Sequence, residues 1–129
     1  MARRKATTFT EVELEFMHVI WELGEVSTEN MQDTLNDRGR PLSDGSIRKI
    51  LSILLTKGHV ERRRDGRSFY YKPTVDKESA RQSMVQDLLK RAFDGSVSLM
   101  VASLFDSRGI KDGDIDDVKR MIDSYDGGE

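Results

Sequence analysis

Four arginines surround a short turn signal near the middle of the chain. The signal is Asp65-Gly66, and the arginines are Arg62, Arg63, Arg64 and Arg67. An Asp-Gly pair between two strand-like runs is a strong indication of a β-hairpin, so we predict strands over residues 59–64 and 67–72. A guanidinium is always charged and presents several N–H donors in one plane, which suits phosphate oxygens. A hairpin with such a tip is typical of an element that contacts the nucleic-acid backbone or minor groove.

Protection of an edge strand against aggregation is another explanation for charges on a hairpin. Acidic residues would serve that purpose equally well, yet only Glu61 and Asp65 lie among the four arginines. The excess of arginine therefore favours phosphate contact.

The segment before the hairpin predicts an amphipathic helix that begins after Ser43. Its apolar residues are spaced three and four apart, as on one helix face; they are Ile47, Ile50, Leu51, Leu54 and Leu55. The other faces carry Asp44, Gly45, Ser46, Arg48, Lys49, Ser52 and Ile53. Arg48 or Lys49 has the donors to bind guanine O6 and N7, and Ser46 can bond to a base or a phosphate. A solvated helix face would carry similar charges, so this helix alone does not decide the function. The candidate DNA-binding residues are Gly45, Ser46, Arg48, Lys49, Ser52, Arg62, Arg63, Arg64 and Arg67.

The charge of the chain is unevenly distributed. Its formal net charge is −2, which by itself argues against a nucleic-acid partner. Residues 38–72, however, hold ten lysines and arginines against three acids, a local charge of +7. Because phosphate attraction depends on the local field, this segment is the expected contact surface.

The elements around these residues follow a recognisable order. Thr10 and Glu13 fit a capping box that begins a first helix. Its apolar stripe is Leu14, Met17 and Trp21, flanked by Phe16 and Ile20, and Gly24 ends the helix. Val26 can form a short strand, and Ser27 can cap a second helix, with Met31 and Leu35 facing inward. Helix, short strand, two helices and a hairpin is the order of a winged helix-turn-helix. We predict this domain over residues 1–75, with residues 1–9 as a loose basic arm.

Residues 76–129 predict a helical tail. Asp76, Ser96 and a start near Asp112 mark three helices, and Gly95 and Gly109 end the first two. The apolar faces of these helices exceed what one compact layer needs, so we expect two tails to interleave as a dimerisation domain. The candidate dimerisation residues are Leu88, Leu89, Phe93, Val97, Met100, Val101, Leu104, Phe105, Ile115, Val118 and Ile122. The fold class is therefore mostly α with a small β-hairpin wing.

Several other classes of protein are excluded or disfavoured. The chain has no cysteine and two histidines, so neither a disulfide framework nor a structural metal site is expected, and no cofactor is implied. His18 is expected to be half-buried, and His59 to be structural. Asp112 and Asp114 are better explained as helix caps than as ligands of calcium. No apolar run is long enough for a membrane span and no signal peptide opens the sequence, so we expect a cytoplasmic protein. Since the sequence suggests no base–nucleophile pair, we expect no enzymatic activity.

Several motifs together resemble the penicillinase-repressor family of winged-helix regulators, which includes the methicillin-resistance and copper repressors. The matching segments are Glu13-Leu-Glu-Phe-Met-His-Val-Ile-Trp21, Ser43-Asp-Gly-Ser-Ile-Arg-Lys-Ile-Leu51, Asp65-Gly-Arg-Ser-Phe-Tyr-Tyr71 and Phe93-Asp-Gly-Ser-Val-Ser-Leu-Met-Val101. The resemblance implies a homodimer that binds a palindromic operator in double-stranded DNA and blocks transcription. It also places Gly45, Ser46, Arg48 and Lys49 where the family contacts DNA. Ile53 departs from the pattern, because an arginine is common at that position.

The resemblance also bears on how the protein leaves DNA. One branch of the family is released through a cysteine-rich tail, which this chain lacks. Another branch is cut within the tail by a partner protease at an Asn-Phe bond. The matching pair here is Ser103-Leu104, so a regulatory protease as a partner is either altered in its specificity or absent.

Two alternatives remain open at this stage. A winged-helix module that binds another protein would use the same core and place an acidic partner on the wing. A metabolite-binding regulator would hold its ligand between the two domains, although no polar cluster in the tail suggests one.

Overall fold

The computed structural model describes residues 8–107 and 109–125, which separate into two compact units between Asp87 and Leu88. The first unit contains helices α1 (Glu11–Leu23), α2 (Thr28–Asp37) and α3 (Asp44–Thr56), strands β1 (Val26–Ser27), β2 (Val60–Asp65) and β3 (Ser68–Pro73), and the start of helix α4 (Lys77–Phe93). The second unit contains the rest of α4 with helices α5 (Val97–Asp106) and α6 (Asp112–Ser124). This order confirms the mostly helical fold with a hairpin wing.

The three strands of the first unit form one antiparallel sheet in the order β1-β3-β2. Val26 on β1 lies opposite Tyr71 on β3. On the other side of β3, β2 pairs from Val60 opposite Pro73 to Asp65 opposite Ser68. The single apolar Val26 therefore does form the predicted short strand, because β3 offers it a free edge.

The core of the first unit lies between the three helices and the inner side of the sheet. Its buried residues are Phe16, Met17, Val19, Ile20, Val26, Met31, Leu35, Ile47, Leu51, Leu54, Val60 and Tyr71. On α1, Met17 and the flanking residues Phe16 and Ile20 are fully buried, whereas Leu14 and Trp21 of the predicted stripe are half-buried. The Trp21 indole N–H donates to the carbonyl of Val75 at 2.9 Å, which keeps this ring at the edge of the core where its polar atom has a partner.

Side-chain caps begin the first three helices as the sequence predicts. The Thr10 hydroxyl accepts a hydrogen bond from the backbone of Glu13, and Ser27 and Ser43 do the same for Asn30 and Ser46. Such caps satisfy N–H groups that a helix leaves unpaired at its start. They fix where each of these helices begins.

The hairpin turn lies one residue later than predicted. Its two central residues are Gly66 and Arg67, and Asp65 is the last residue of β2. Gly66 has φ 65°, and among described non-glycine residues only Asp94 has a positive φ. A turn over Asp65-Gly66 would put both residues in that region, whereas the observed turn places only glycine there. Arg67 consequently lies at the tip of the wing and not at the start of β3.

The last residues before α1 are more ordered than the predicted loose arm. Residues 1–7 of the predicted arm lie outside the described residues, but the Phe9 ring stacks on His59 with ring centroids 4.1 Å apart. His59 is buried, as expected of a structural role, whereas His18 is exposed and not half-buried.

The helices of the second unit bury very little. No described residue of α5 or α6 is buried, and α5 ends at Asp106, before the predicted stop at Gly109. Ser107 ends it by donating both its N–H and its hydroxyl to the Leu104 carbonyl. Tyr125 lies just beyond α6 and is exposed. The Asp114 carboxylate accepts from the backbone of Lys111, which is the capping role predicted for it.

None of the helices in residues 8–107 and 109–125 combines the length and apolar character needed to cross a membrane. Within the same residues, no group of three His, Cys, Asp or Glu side chains is arranged to hold a metal ion.

Candidate nucleic-acid interface

Helix α3 presents its predicted reading residues to solvent. Ile47, Leu51 and Leu54 are fully buried, and burying side chains of this size contributes about 1.5–3 kcal/mol each. That contribution exceeds the roughly 0–1 kcal/mol typical of surface ion pairs, so the apolar stripe fixes the rotation of the helix. The outward residues that follow from this rotation are Gly45, Ser46, Arg48, Lys49 and Ser52, and all five are exposed.

Arg48 has an intramolecular partner on the same helix. Its Nε donates to the Asp44 carboxylate at 2.7 Å, one helical turn earlier. This hydrogen bond raises the pKa of Arg48 above its ordinary value. Lys49, the next residue, has no such partner among the described residues and is the less constrained of the two cations.

Ile53 differs from the other residues predicted on the outer faces of α3. It is half-buried, and it lines a cavity of about 390 Å³ with Val12 and Ile50. An apolar side chain suits this position because Val12 and Ile50, which line the same cavity, are also apolar.

The wing has two faces of different chemistry. Because paired residues of neighbouring strands point to the same side, Arg62 and Arg64 share a face with Phe69 and the buried Tyr71. The Arg62 guanidinium lies 4.1 Å from the centre of the Phe69 ring, and that of Arg64 lies 5.8 Å away. Stacking of this kind uses the flat face of a guanidinium and leaves donors at its edge. Arg64 also donates to the Gly66 carbonyl at 3.0 Å.

Arg63 lies on the opposite face of the wing. It is paired with Tyr70 across the strands, and its Nε and Nη2 donate to the two carboxylate oxygens of Glu25 at 2.8 and 2.9 Å. The pair raises the pKa of Arg63 and lowers that of Glu25. Of the four wing arginines predicted to contact phosphate, Arg63 is thus the one already bound to a carboxylate.

Folding neutralises much of the +7 charge counted along residues 38–72. Six of the ten cations form ion pairs: Arg38 with Glu22, Arg40 with Glu15, Arg48 with Asp44, Lys57 with Glu13, Arg63 with Glu25 and Lys72 with Glu61. For Lys49, Arg62, Arg64 and Arg67, no carboxylate of the described residues lies within ion-pair distance. We call these four residues the unpaired quartet. One member lies on α3 and three lie on the wing, and all four are among the residues predicted to contact DNA.

Four of the carboxylates that neutralise these cations belong to α1 or to the turn after it. The sequence predicts Glu13 only as a capping residue, and it gives no sign that Glu15, Glu22 or Glu25 forms an ion pair. A spacing of three or four residues signals a pair within one helix, but nothing in the sequence signals that Glu25 meets Arg63.

The predicted dimerisation residues of the tail are all exposed or half-buried. Leu88, Val97, Val101, Leu104, Phe105, Val118 and Ile122 are exposed, and Leu89, Phe93, Met100 and Ile115 are half-buried. An apolar cavity of about 110 Å³ between α5 and α6 contains Leu104 and Phe105 in its lining. Ser103 and Leu104, the possible cleavage pair, are exposed but lie within the helical backbone of α5.

Comparison with known proteins places this arrangement in a family. The family model described as "Penicillinase repressor" matches residues 9–124. The penicillinase repressor of Bacillus licheniformis is 23% identical over 122 residues, which cover 95% of this chain and 94% of that protein. The methicillin resistance regulatory protein MecI of Staphylococcus aureus (strain Mu50) is 20% identical over 118 residues, covering 92% and 95%.

A solved structure agrees with the sequence comparison. The solution structure of the DNA-binding domain of the repressor BlaI superposes with a TM-score of 0.52 and 29% identity, covering 58% of this chain and 90% of that one. Since the family match extends over most of the sequence, from the first helix to the end of the last, the chain belongs to the penicillinase repressor family of winged helix-turn-helix, DNA-binding repressors.

Proposed function

We propose that this chain represses transcription as a homodimer bound to an inverted-repeat operator. Helix α3 reads base edges in the major groove, and the wing holds the adjacent phosphates. The observation that carries this proposal is the unpaired quartet, which concentrates uncompensated positive charge on α3 and the wing. Charges that already have a carboxylate partner attract phosphate less, because the partner cancels their field.

The exposed apolar side chains of the tail support the homodimer. Leu104 and Phe105 are 53% and 51% exposed, and Val97 is 61% exposed. Contiguous apolar surface of this kind on a soluble chain usually marks a protein–protein interface. A second tail of the same sequence carries a matching apolar face, and two-fold symmetry would present two α3 helices to two half-sites.

The experiment that tests the proposal is the selection of DNA by the purified full chain. Fragments retained from a random duplex library are sequenced, and the best fragment is then footprinted. We expect an inverted repeat whose half-sites are spaced by about one helical turn, or 10–10.5 base pairs. Retained fragments without a shared motif, together with equal affinity for scrambled duplexes, would instead favour the protein-interaction module.

We propose that the protein leaves the operator when its tail is cut. Two linked weak half-sites gain affinity through effective concentration, and separated ones do not. Since Ser103 and Leu104 lie within a helix, a protease reaches them only after local opening of α5. An unrelated protease site inserted after Ser103 and cut on the operator-bound protein should release the DNA. Full operator affinity of the cut protein would mean that release acts on the winged domain itself.

A further inference from the structure

The two sides of the wing hold their arginines in different ways. Arg62 and Arg64 lie over the Phe69 ring without a carboxylate partner among the described residues. Arg63 lies 4.7 Å from the centre of the Tyr70 ring and makes a bidentate pair with Glu25. Bidentate geometry of this kind is the strongest form of an exposed ion pair.

Glu25 is held in place from both sides along the chain. The preceding residue, Gly24, ends α1 with φ 86°, a conformation that glycine adopts without a steric penalty. The following residue, Val26, is buried and hydrogen-bonded in register with Tyr71. The carboxylate of Glu25 therefore belongs to the rigid body of the domain, whereas Arg63 belongs to the wing that projects from it.

We propose that Arg63 is a positioning residue, whose pair with Glu25 fixes the angle of the wing, and that Arg62, Arg64 and Arg67 hold the phosphates. This inference rests on the proposed DNA binding and goes beyond it by dividing the wing arginines into two roles. The Nε and Nη2 of Arg63 already donate to Glu25. A phosphate bound at that edge of the guanidinium would therefore only replace one anion with another. Arg62 and Arg64 lie over the Phe69 ring, Arg64 uses only its Nε on the Gly66 carbonyl, and the terminal N–H donors of both guanidinium groups remain available.

Operator binding at several salt concentrations tests the division of roles. We compare Arg63→Gln, Glu25→Gln, the double variant and the matched control Arg62→Gln between 50 and 200 mM salt. Removing one phosphate-binding cation from each protomer of a dimer flattens the slope of log affinity against log salt by about 1.8, since each cation contributes about 0.9. We expect this flattening in Arg62→Gln only.

The pair variants should weaken binding without changing its salt slope. Arg63→Gln and Glu25→Gln should each reduce operator affinity about two- to fivefold, the range typical of an exposed ion pair. The double variant should match either single variant, because the same interaction is absent from all three. The proposal is overturned if Arg63→Gln flattens the salt slope as Arg62→Gln does, if Glu25→Gln tightens binding, or if neither pair variant weakens it.

A measurement without DNA separates this inference from the proposed function. Hydrogen exchange of the wing amides should accelerate equally in Arg63→Gln and Glu25→Gln, and it should remain at the wild-type rate in Arg62→Gln. Unchanged exchange in the pair variants would overturn the positioning role even if DNA binding holds. If the wild-type chain bound no DNA, the proposed function would fail, while the exchange rates would still decide whether Glu25 anchors the wing.

Discussion

The ammonium group of Lys57, at the end of α3, lies 2.8 and 2.9 Å from the two carboxylate oxygens of Glu13 on α1. Glu13 is only 5% exposed and also accepts from the backbone N–H of Thr10 in the capping box. Burial by itself raises the pKa of Glu13, but the hydrogen bonds from Lys57 and Thr10 outweigh it and hold the pKa below its ordinary value. One carboxylate therefore fixes the start of α1 and the end of α3 together.

Replacing Glu13 with glutamine should isolate the ion pair from the cap. The amide side chain of the Glu13→Gln variant would still accept from Thr10, since glutamine serves in capping boxes, but the charge opposite Lys57 would be gone. We expect the free energy of unfolding to fall by about 1–3 kcal/mol, less than for a fully buried pair because Lys57 is partly exposed. Urea denaturation at one fixed protein concentration measures this change. Glu11→Gln, in the same first turn but exposed, is the control, and equal losses in the two variants would contradict the prediction.

The same carboxylate should make stability depend on pH on the acid side. A folded-state pKa below the unfolded value of about 4.3 means that the stabilisation is complete above that pH and is lost as the pH falls through the folded pKa. The wild-type chain should therefore lose stability more steeply than Glu13→Gln between about pH 4.5 and pH 3. Thermal melting across this range provides the comparison. Parallel curves for the two proteins would show that Glu13 does not contribute.

Operator affinity should fall steeply with salt. Two copies of Arg62, Arg64 and Arg67 make up to about six phosphate contacts, which corresponds to a slope near −5 in log affinity against log salt. The expected loss of affinity between 50 and 200 mM salt is roughly 10³–10⁵-fold. Fluorescence anisotropy with a labelled operator duplex measures the slope. A slope shallower than about −3 would mean that most of these arginines do not touch phosphate.

Variants of α3 and of the wing should differ in specificity. Arg48→Ala or Lys49→Ala should relax the preference at one base position per half-site, at a cost of about 1–3 kcal/mol. Arg64→Ala should weaken matched and scrambled duplexes alike. Competition binding with both kinds of duplex distinguishes the two patterns, and Thr56→Ala, at the exposed end of α3, is the control. Identical behaviour of the helix and wing variants would show that α3 is not the reading element.

A charge in the apolar face of the tail should separate the dimer. Leu104→Lys places an ammonium where a partner tail would bury it, and an unpaired buried charge is strongly unfavourable. Sedimentation equilibrium at micromolar concentration should show a dimer for the wild-type chain and a monomer for the variant. Leu23→Lys is the matched control because Leu23 is exposed to a similar extent, 49%, on the first unit. A monomeric wild-type chain would refute the dimer.

The sequence predicted the local features of this fold well because their causes are local. Caps at Thr10, Ser27 and Ser43 depend on residues three positions apart, and the burial of Ile47, Leu51 and Leu54 follows from helical periodicity alone. The hairpin was placed one residue early, because Asp65-Gly66 and Gly66-Arg67 are both acceptable turn pairs and only strand register separates them.

What the sequence did not predict depends on contacts between distant segments. Glu25 and Arg63 are 38 positions apart, and Glu13 and Lys57 are 44 apart. No spacing rule joins such residues, so a charge count along the chain treats every cation as free. The Arg48–Asp44 pair differs from these, because its spacing of four residues within one helix can be read from the sequence.

The alternation of side chains along β2 has a consequence for comparing this wing with those of related chains. Arg64 and Arg62 lie an even number of residues before the turn glycine, Gly66, whereas Arg63 lies an odd number of residues before it. Because a strand has a period of two, a one-residue insertion between β2 and the turn would exchange the two sets of arginines without changing their number. In a sequence alignment, the role of a basic residue on β2 should therefore be inferred from the parity of its distance to the glycine, and not from the total basic charge of the hairpin.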